Sequence, residues 1–238
     1  MNFKYLQRVS LLDYPGKIAA IAFVGGCNFR CGFCYNRDLV LAPDAISSIS
    51  ESEVLSYLES KRDWLDGLVI TGGEPTLYSD LPDFLARVKS LGYSVKLDTN
   101  GSNPDMLAAL IERHLVDYVA LDIKAPLDDE KYHEIVGSQS NGVTGNVRRS
   151  VEILMSGNVD YEFRTTVIPE LGREDLLRIA EQIRGARRYY LQQFVSNGSH
   201  LDARYSSEKP HPMEFLISVK SEIGGHFGTC GVRGVRQR

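Results

Sequence analysis

Ile18-Ala-Ala-Ile-Ala-Phe-Val24 leads through Gly25-Gly26 into Cys27-Asn-Phe-Arg-Cys31-Gly-Phe-Cys34-Tyr-Asn36. The apolar run reads as a buried strand, and the cysteines follow at its end. Their C-x3-C-x2-C spacing supplies three thiolates where an iron–sulfur cube has four corners. A cube held at three corners keeps one iron open to a further molecule, as a catalytic zinc keeps one position free. The plainer readings are a structural zinc site or free thiols in a core. Zinc wants a fourth ligand, usually from a second C-x2-C pair; the one other cysteine is Cys230, and no histidine falls near the cluster in sequence. The spacing favours the cluster.

Outward from this stretch, strand and helix signals alternate. Ser50-Glu-Ser-Glu53 fits a capping box opening a helix to about Lys61, and Leu68–Thr71 is a second buried strand ended by Gly72-Gly73. Leu81, Phe84, Leu85, Val88 and Leu91 repeat at helical spacing before Gly92. Tyr93–Thr99 is a third strand, and Asn103-Pro104 caps the helix that carries Leu107, Leu110 and Ile111. Tyr118–Ile123, Tyr161–Ile168 and Tyr189–Phe194 are further strands. Helices around Val147–Leu154 and Leu176–Ile183 separate them, and Pro212 opens a last helix. Such alternation means a parallel sheet with helices outside. About six units is fewer than the eight of a closed barrel, so the fold class is α/β: an incomplete (β/α)6 parallel barrel, open on one side. With no internal repeat and no linker, residues 1–238 read as a single domain, its core about 11–195 and a C-terminal loop and helix over 196–238. Asn197–Pro210, rich in Ser, Asn, Gly and Pro, reads as a mobile loop.

At 238 residues the chain is long enough for a large core, and its net charge of −4 argues against nucleic acid or an anionic membrane as partner. The run Ile18–Val24 is too short to span a bilayer, and the N-terminus shows no signal peptide, so a cytoplasmic location is expected. Three crowded cysteines do not read as a disulfide framework; they point to a reducing, oxygen-poor compartment.

Ligands of parallel α/β folds collect at the carboxyl ends of the strands, and the unusual residues fall there. Gly72-Gly73-Glu74-Pro75 follows the second strand; Asp98 and Thr99 end the third; Asp122 and Lys124 end the fourth; Arg164 lies on the fifth; Gln192-Gln193-Phe194 end the sixth. Charges within apolar strands are costly unless paired or bound to something. Taken singly, Gly72–Pro75 is a turn and Asp98, Asp122 and Lys124 are rim ion pairs. Arg164 could pair with Glu162. Their convergence is better explained by a polar ligand. The five histidines are scattered without ligand spacing, and the arginines of the tail, Arg233, Arg236 and Arg238, read as solvated.

These residues together resemble the radical S-adenosylmethionine superfamily: Cys27-x3-Cys31-x2-Cys34 with Phe33 before the third cysteine, and Gly-Gly-Glu as its second motif. Ser10-Leu-Leu-Asp-Tyr-Pro-Gly16 with Cys27–Asn36 is similar to the activating proteins of anaerobic ribonucleoside-triphosphate reductases. Leu97-Asp-Thr-Asn-Gly101 and Leu121-Asp-Ile-Lys124 resemble the wider group of glycyl-radical-enzyme activases. The resemblance implies that Cys27, Cys31 and Cys34 hold a [4Fe–4S] cluster whose fourth iron chelates the amino and carboxylate groups of S-adenosylmethionine. It implies that Phe33 and Tyr35 lie along the adenine, that Gly73 and Glu74, beside Gly72, receive the methionine amino group, and that Lys124 and Arg164 orient the carboxylate and ribose side. Asp98, Thr99 and Asp122 match positions that gather round a monovalent cation.

The implied activity is reductive cleavage of S-adenosylmethionine followed by hydrogen abstraction from a glycine of a partner glycyl radical enzyme. A flavodoxin- or ferredoxin-type protein would donate the electron. Some such activases carry a histidine after the sixth strand, where this chain has Gln193-Phe194-Val195. The competing readings are a radical enzyme for a small molecule, such as a 7-carboxy-7-deazaguanine synthase, an activase of another glycyl radical enzyme, or a non-catalytic metal module. Cys230 cannot hold a second cluster alone.

Overall fold

The computed structural model describes residues 1–137, 142–196 and 199–234. Its strands are β1 (Asn2–Ser10), β2 (Ala19–Val24), β3 (Ile49–Ser50), β4 (Gly67–Gly72), β5 (Ser94–Thr99), β6 (Tyr118–Asp122), β7 (Asp160–Val167), β8 (Arg188–Gln193) and β9 (Thr229–Arg233). They form one nine-stranded sheet in the order β3-β1-β2-β4-β5-β6-β7-β8-β9. Every pair from β2 to β9 is parallel; β1 is antiparallel to β2, and β3 to β1. The sheet is mostly parallel and not closed, its two ends being β3 and β9. The helices are α1 (Arg37–Leu41), α2 (Glu51–Glu59), α3 (Leu81–Ser90), α4 (Pro104–Glu112), α5 (Asp129–Val136), α6 (Val143–Met155), α7 (Arg173–Gln182) and α8 (Met213–Ile223).

Local chemistry explains where helices start. Ser50 and Glu53 form the capping box of α2, and the Asn103 side chain accepts from Met106 N–H at 3.2 Å to open α4. Besides the short α1 and β3, three longer elements stand outside the sequence reading. β1 lies before the assigned core, and two register shifts against β2 break its period of two. The polar helix α5 is opened by Asp128, which accepts from Lys131 N–H at 3.2 Å. β9 lies in the tail assigned to a loop and a helix, and makes a seventh parallel strand. It has no apolar run of its own; its place comes from pairing with β8.

The strands alternate their side chains between two faces. Outward residues such as Ala20, Ala22, Leu68, Val95 and Leu121 pack in the main core, where Leu81, Phe84, Leu107 and Leu110 of α3 and α4 also lie. Inward residues of the first strands form a second cluster of Ala19, Ile21 and Val69 with Tyr14 and Tyr118. Tyr14, 3% exposed, closes the base of the sheet, its ring 6.0 Å from that of Tyr118. No helix among the described residues is long and apolar enough to cross a membrane.

Candidate active site

A cavity of about 590 Å³ opens at the carboxyl ends of the strands, and all the candidate residues named from the sequence line it. Cys27, Cys31 and Cys34 enter from the loop after β2. That loop is held at several points. Gly26 N–H donates to Leu39 at 2.7 Å, Arg30 N–H to Val136 at 2.7 Å, and Cys34 N–H turns back to Cys31 at 3.0 Å. Two donors address the sulfur of Cys27: Phe29 N–H at 3.4 Å and the Asn100 amide at 3.8 Å. Asn100, Asn36, Thr166, Gln192 and Gln193 also line the cavity. The Asn100-Gly101 dipeptide reads from sequence as a strand-ending turn, which hides the sulfur contact. Burial pushes the Cys27 thiol up to about 11 and the Cys31 thiol up to about 12, with nearby Lys124 pulling both the other way. Thiolates in this loop therefore call for a cation to bind them.

Gly72-Gly73 has a tighter reason to be glycine than ligand access. Gly72 has φ +113°, in the region that favours glycine, and a Cβ on Gly73 would stand 1.8 Å from the Gly26 carbonyl oxygen. The contact lets Gly73 N–H reach Val24 O at 2.9 Å and Glu74 N–H reach Gly26 O at 2.8 Å, welding the second motif to the cysteine loop. Glu74 is 1% exposed. Its Oε1 accepts from Thr76 Oγ1 at 2.5 Å, Thr76 N–H at 3.1 Å and Thr99 Oγ1 at 2.7 Å, and its Oε2 from Asn100 N–H at 2.7 Å. Burial raises its carboxyl against the pull of these donors. Oε2, with one protein donor among the described residues, keeps capacity for an ammonium group.

Across the cavity the charges are paired. Arg164 donates from Nε to Asp122 at 2.7 Å and from Nη1 to Asp98 at 3.2 Å; Glu162, its partner in the sequence reading, is 4.0 Å away. Lys124 donates to Asp122 at 2.9 Å, and Lys96 to Asp98. Although burial opposes ionisation, Arg164 and Lys124 hold the Asp122 carboxyl well below the usual range. Protein cations thus already neutralise the two carboxylates matched to a monovalent-cation position.

Aromatic side chains fix the remaining wall. The Tyr35 hydroxyl donates to Val195 O and accepts from Val195 N–H, both at 2.8 Å, and its ring lies 4.9 Å from His200. Phe33 meets Tyr205 edge-on at 6.0 Å. Of Asn197–Pro210, residues 197 and 198 lie outside the described residues. The rest is anchored instead of loose: Leu201 N–H donates to Cys34 O at 3.1 Å and Asp202 N–H to Gly32 O at 2.8 Å, while His200 and Tyr205 are buried. Backbone pairing with the cysteine loop overrides the polar composition.

The donor set bears on the metal readings. Among the described residues no three His, Cys, Asp or Glu side chains close round a single point, as one zinc ion requires. Three thiols line this one cavity, and a cube offers a separate iron to each. The model of the radical SAM superfamily matches residues 21–183, from β2 through α7. The chain belongs to the radical SAM superfamily. Radical SAM enzymes use a [4Fe–4S] cluster and S-adenosylmethionine. The chain is 35% identical to the "Putative glycyl-radical enzyme activating enzyme MJ1227" of Methanocaldococcus jannaschii, over 78% of this chain and 77% of that one. It is 27% identical to the pyruvate formate-lyase-activating enzyme of Streptococcus mutans, over 85% and 80%. The radical SAM fold is shared with Streptococcus suis SuiB bound to S-adenosylmethionine, at TM-score 0.68 and 14% identity, covering 91% of this chain and 52% of SuiB. This chain thus spans about half of SuiB.

Proposed function

We propose that this radical SAM enzyme is an activase that makes a glycyl radical on an anaerobic ribonucleoside-triphosphate reductase. The carrying observation is likeness along most of the chain to proteins named as glycyl-radical activating enzymes, together with a cavity whose sheet is left open. A polypeptide loop needs such an opening. The choice of reductase rests on Ser10–Gly16 and Cys27–Asn36.

Cys27, Cys31 and Cys34 would hold the cluster. When bound, cluster and S-adenosylmethionine supply a one-electron reductive cleavage of a carbon–sulfur bond and a radical that takes a hydrogen atom from a glycine Cα. A flavodoxin- or ferredoxin-type donor provides the electron. The chain's own residues bind and orient. Buried Glu74 offers a negative group to the methionine ammonium. On the opposite wall, the described network holds four cations, Lys96, Lys124, Arg164 and Arg233, against three carboxylates, Asp98, Asp122 and Glu162. One positive charge is left over to meet the methionine carboxylate. A zwitterion therefore has one orientation in which both ends are satisfied. Phe33 and Tyr35 supply the apolar wall for the adenine. The paired state of Asp98 and Asp122 makes a separate monovalent cation dispensable in this reading.

The test is anaerobic. Cluster-loaded protein, reductant and S-adenosylmethionine should yield 5′-deoxyadenosine, and adding the reductase should yield a glycyl radical doublet by EPR. Cleavage without a doublet on any glycyl radical enzyme tried would contradict the activase reading and favour a small-molecule substrate.

A further inference from the structure

The charged wall continues below the cavity. Glu162 sits one inward position beneath Arg164 on β7 and is buried to 1% exposure. A carboxylate at that depth has to be paired. Two guanidinium groups face its Oε1: Nη1 of Arg233 at 2.6 Å and Nη1 of Arg164 at 4.0 Å. Arg233 also reaches Oε2 at 2.7 Å, where the Tyr118 hydroxyl donates at 2.8 Å. The fork-to-fork contact is therefore Arg233's, and the Arg164 fork is turned upward to Asp122 and Asp98.

Arg233 is itself placed with care. Its register on β9 sets it beside Gln192, and its guanidinium lies 3.5 Å from the Tyr190 ring centre. Gly231 leaves room for that ring, since a Cβ there would come within 2.9 Å of it. The residue read from sequence as a solvated tail arginine is the counter-ion of a fully buried acid on the charged wall.

We infer that Arg233 is a positioning residue for the S-adenosylmethionine site: by saturating Glu162 it leaves the Arg164 guanidinium committed to the cavity rim. The inference rests on the proposed role of Arg164 toward the ligand carboxylate. Among the described residues, Arg233 and Arg164 are the two cations in ion-pair contact with Glu162. Removing Arg233 leaves a buried carboxylate with the neutral Tyr118 hydroxyl on Oε2 and, as its remaining cation among the described residues, Arg164, already within 4.0 Å. Arg164 is then drawn down, away from the rim, and the ligand loses its charge partner. Removing the Glu162 charge as well abolishes the pull.

S-adenosylmethionine titrations of the cluster-loaded protein test this, read as dissociation constants and paired with thermal midpoints. Arg233→Ala should weaken binding by about tenfold or more, the scale of one charged hydrogen bond. Glu162→Gln/Arg233→Ala should recover binding to within roughly threefold of Glu162→Gln alone, a coupling of the kind a double-mutant cycle isolates. Arg233→Lys, which keeps the charge without the fork, should fall between, and it serves in place of Arg233→Ala should that variant not fold. Unchanged binding in Arg233→Ala, with loss in Arg164→Ala, overturns the inference and leaves the function intact. Binding that falls further in the double variant also overturns it, because the loss then comes from the damaged sheet edge. Full binding by Arg164→Ala instead refutes the reading of Arg164 itself.

Discussion

The two walls of the concave face share one strand geometry and carry opposite chemistry. On β2 and β4 the inward positions are Ala19, Ile21 and Val69, with Phe23 packed against them. On β5 to β7 they include Lys96, Asp98, Asp122, Glu162 and Arg164. The apolar wall stabilises by burial and backs the loop that carries the cysteines. The charged wall costs desolvation, and ion pairing at best offsets that cost. A fold gains nothing from replacing one with the other unless a charged ligand completes the balance. On this concave face the comparison thus assigns stability to β2 and β4, and recognition to β5 through β9.

The sharpest break falls where the two walls meet. Cys31→Ala should abolish iron retention and cleavage of S-adenosylmethionine together, since a cube with two thiolates is not held; iron analysis after anaerobic reconstitution checks it. Gly73→Ala comes next. Its Cβ has no room against the Gly26 carbonyl, so the motif and the cysteine loop must part. A loss of more than about 3 kcal/mol in denaturant unfolding is expected, with poor cluster retention. A matched pair then separates the walls. Ile21→Ala should cost about 2–4 kcal/mol of stability, as large-to-small core changes do, and leave the ligand dissociation constant of the folded protein nearly unchanged. Lys124→Gln should do the reverse: roughly tenfold weaker binding, the scale of one charged contact, with a smaller change in unfolding free energy.

The smallest expected effect is a pH dependence. Although burial opposes it, pairing with Arg233 lowers the Glu162 carboxyl below its ordinary value. A carboxyl lowered by folding contributes stability above its unfolded pKa, about 4.3 for glutamate, and that contribution is lost as pH falls through the folded value. The stability gap between wild type and Glu162→Gln should therefore be flat near neutrality and shrink below about pH 4. A gap that widens on acidification would contradict the pairing.

How much of this was legible in the sequence follows from the same contrast. Ile18–Val24 and Leu68–Thr71 could be read because strands buried on both faces are continuous apolar runs. Asp98, Asp122, Lys124 and Arg164 stood out because charge at the end of such runs is unusual. β9 offered no such signal: Thr229-Cys230-Gly231-Val232-Arg233 is a strand by virtue of its neighbour β8. The role of Arg233 toward Glu162 depends on strands far apart in sequence being brought together, which no local pattern encodes. Asn100 hid within a turn dipeptide for the same reason, since its contact with Cys27 exists only after the strands are aligned. In β1 the register shifts blurred an alternation that a regular edge strand would have displayed.

The most direct measurement is of metal content and ligand response on protein purified and reconstituted without oxygen. About four iron and four sulfide per chain are expected, with a reduced-cluster EPR signal that changes when S-adenosylmethionine is added. One zinc per chain, or an iron signal indifferent to S-adenosylmethionine, would contradict the account.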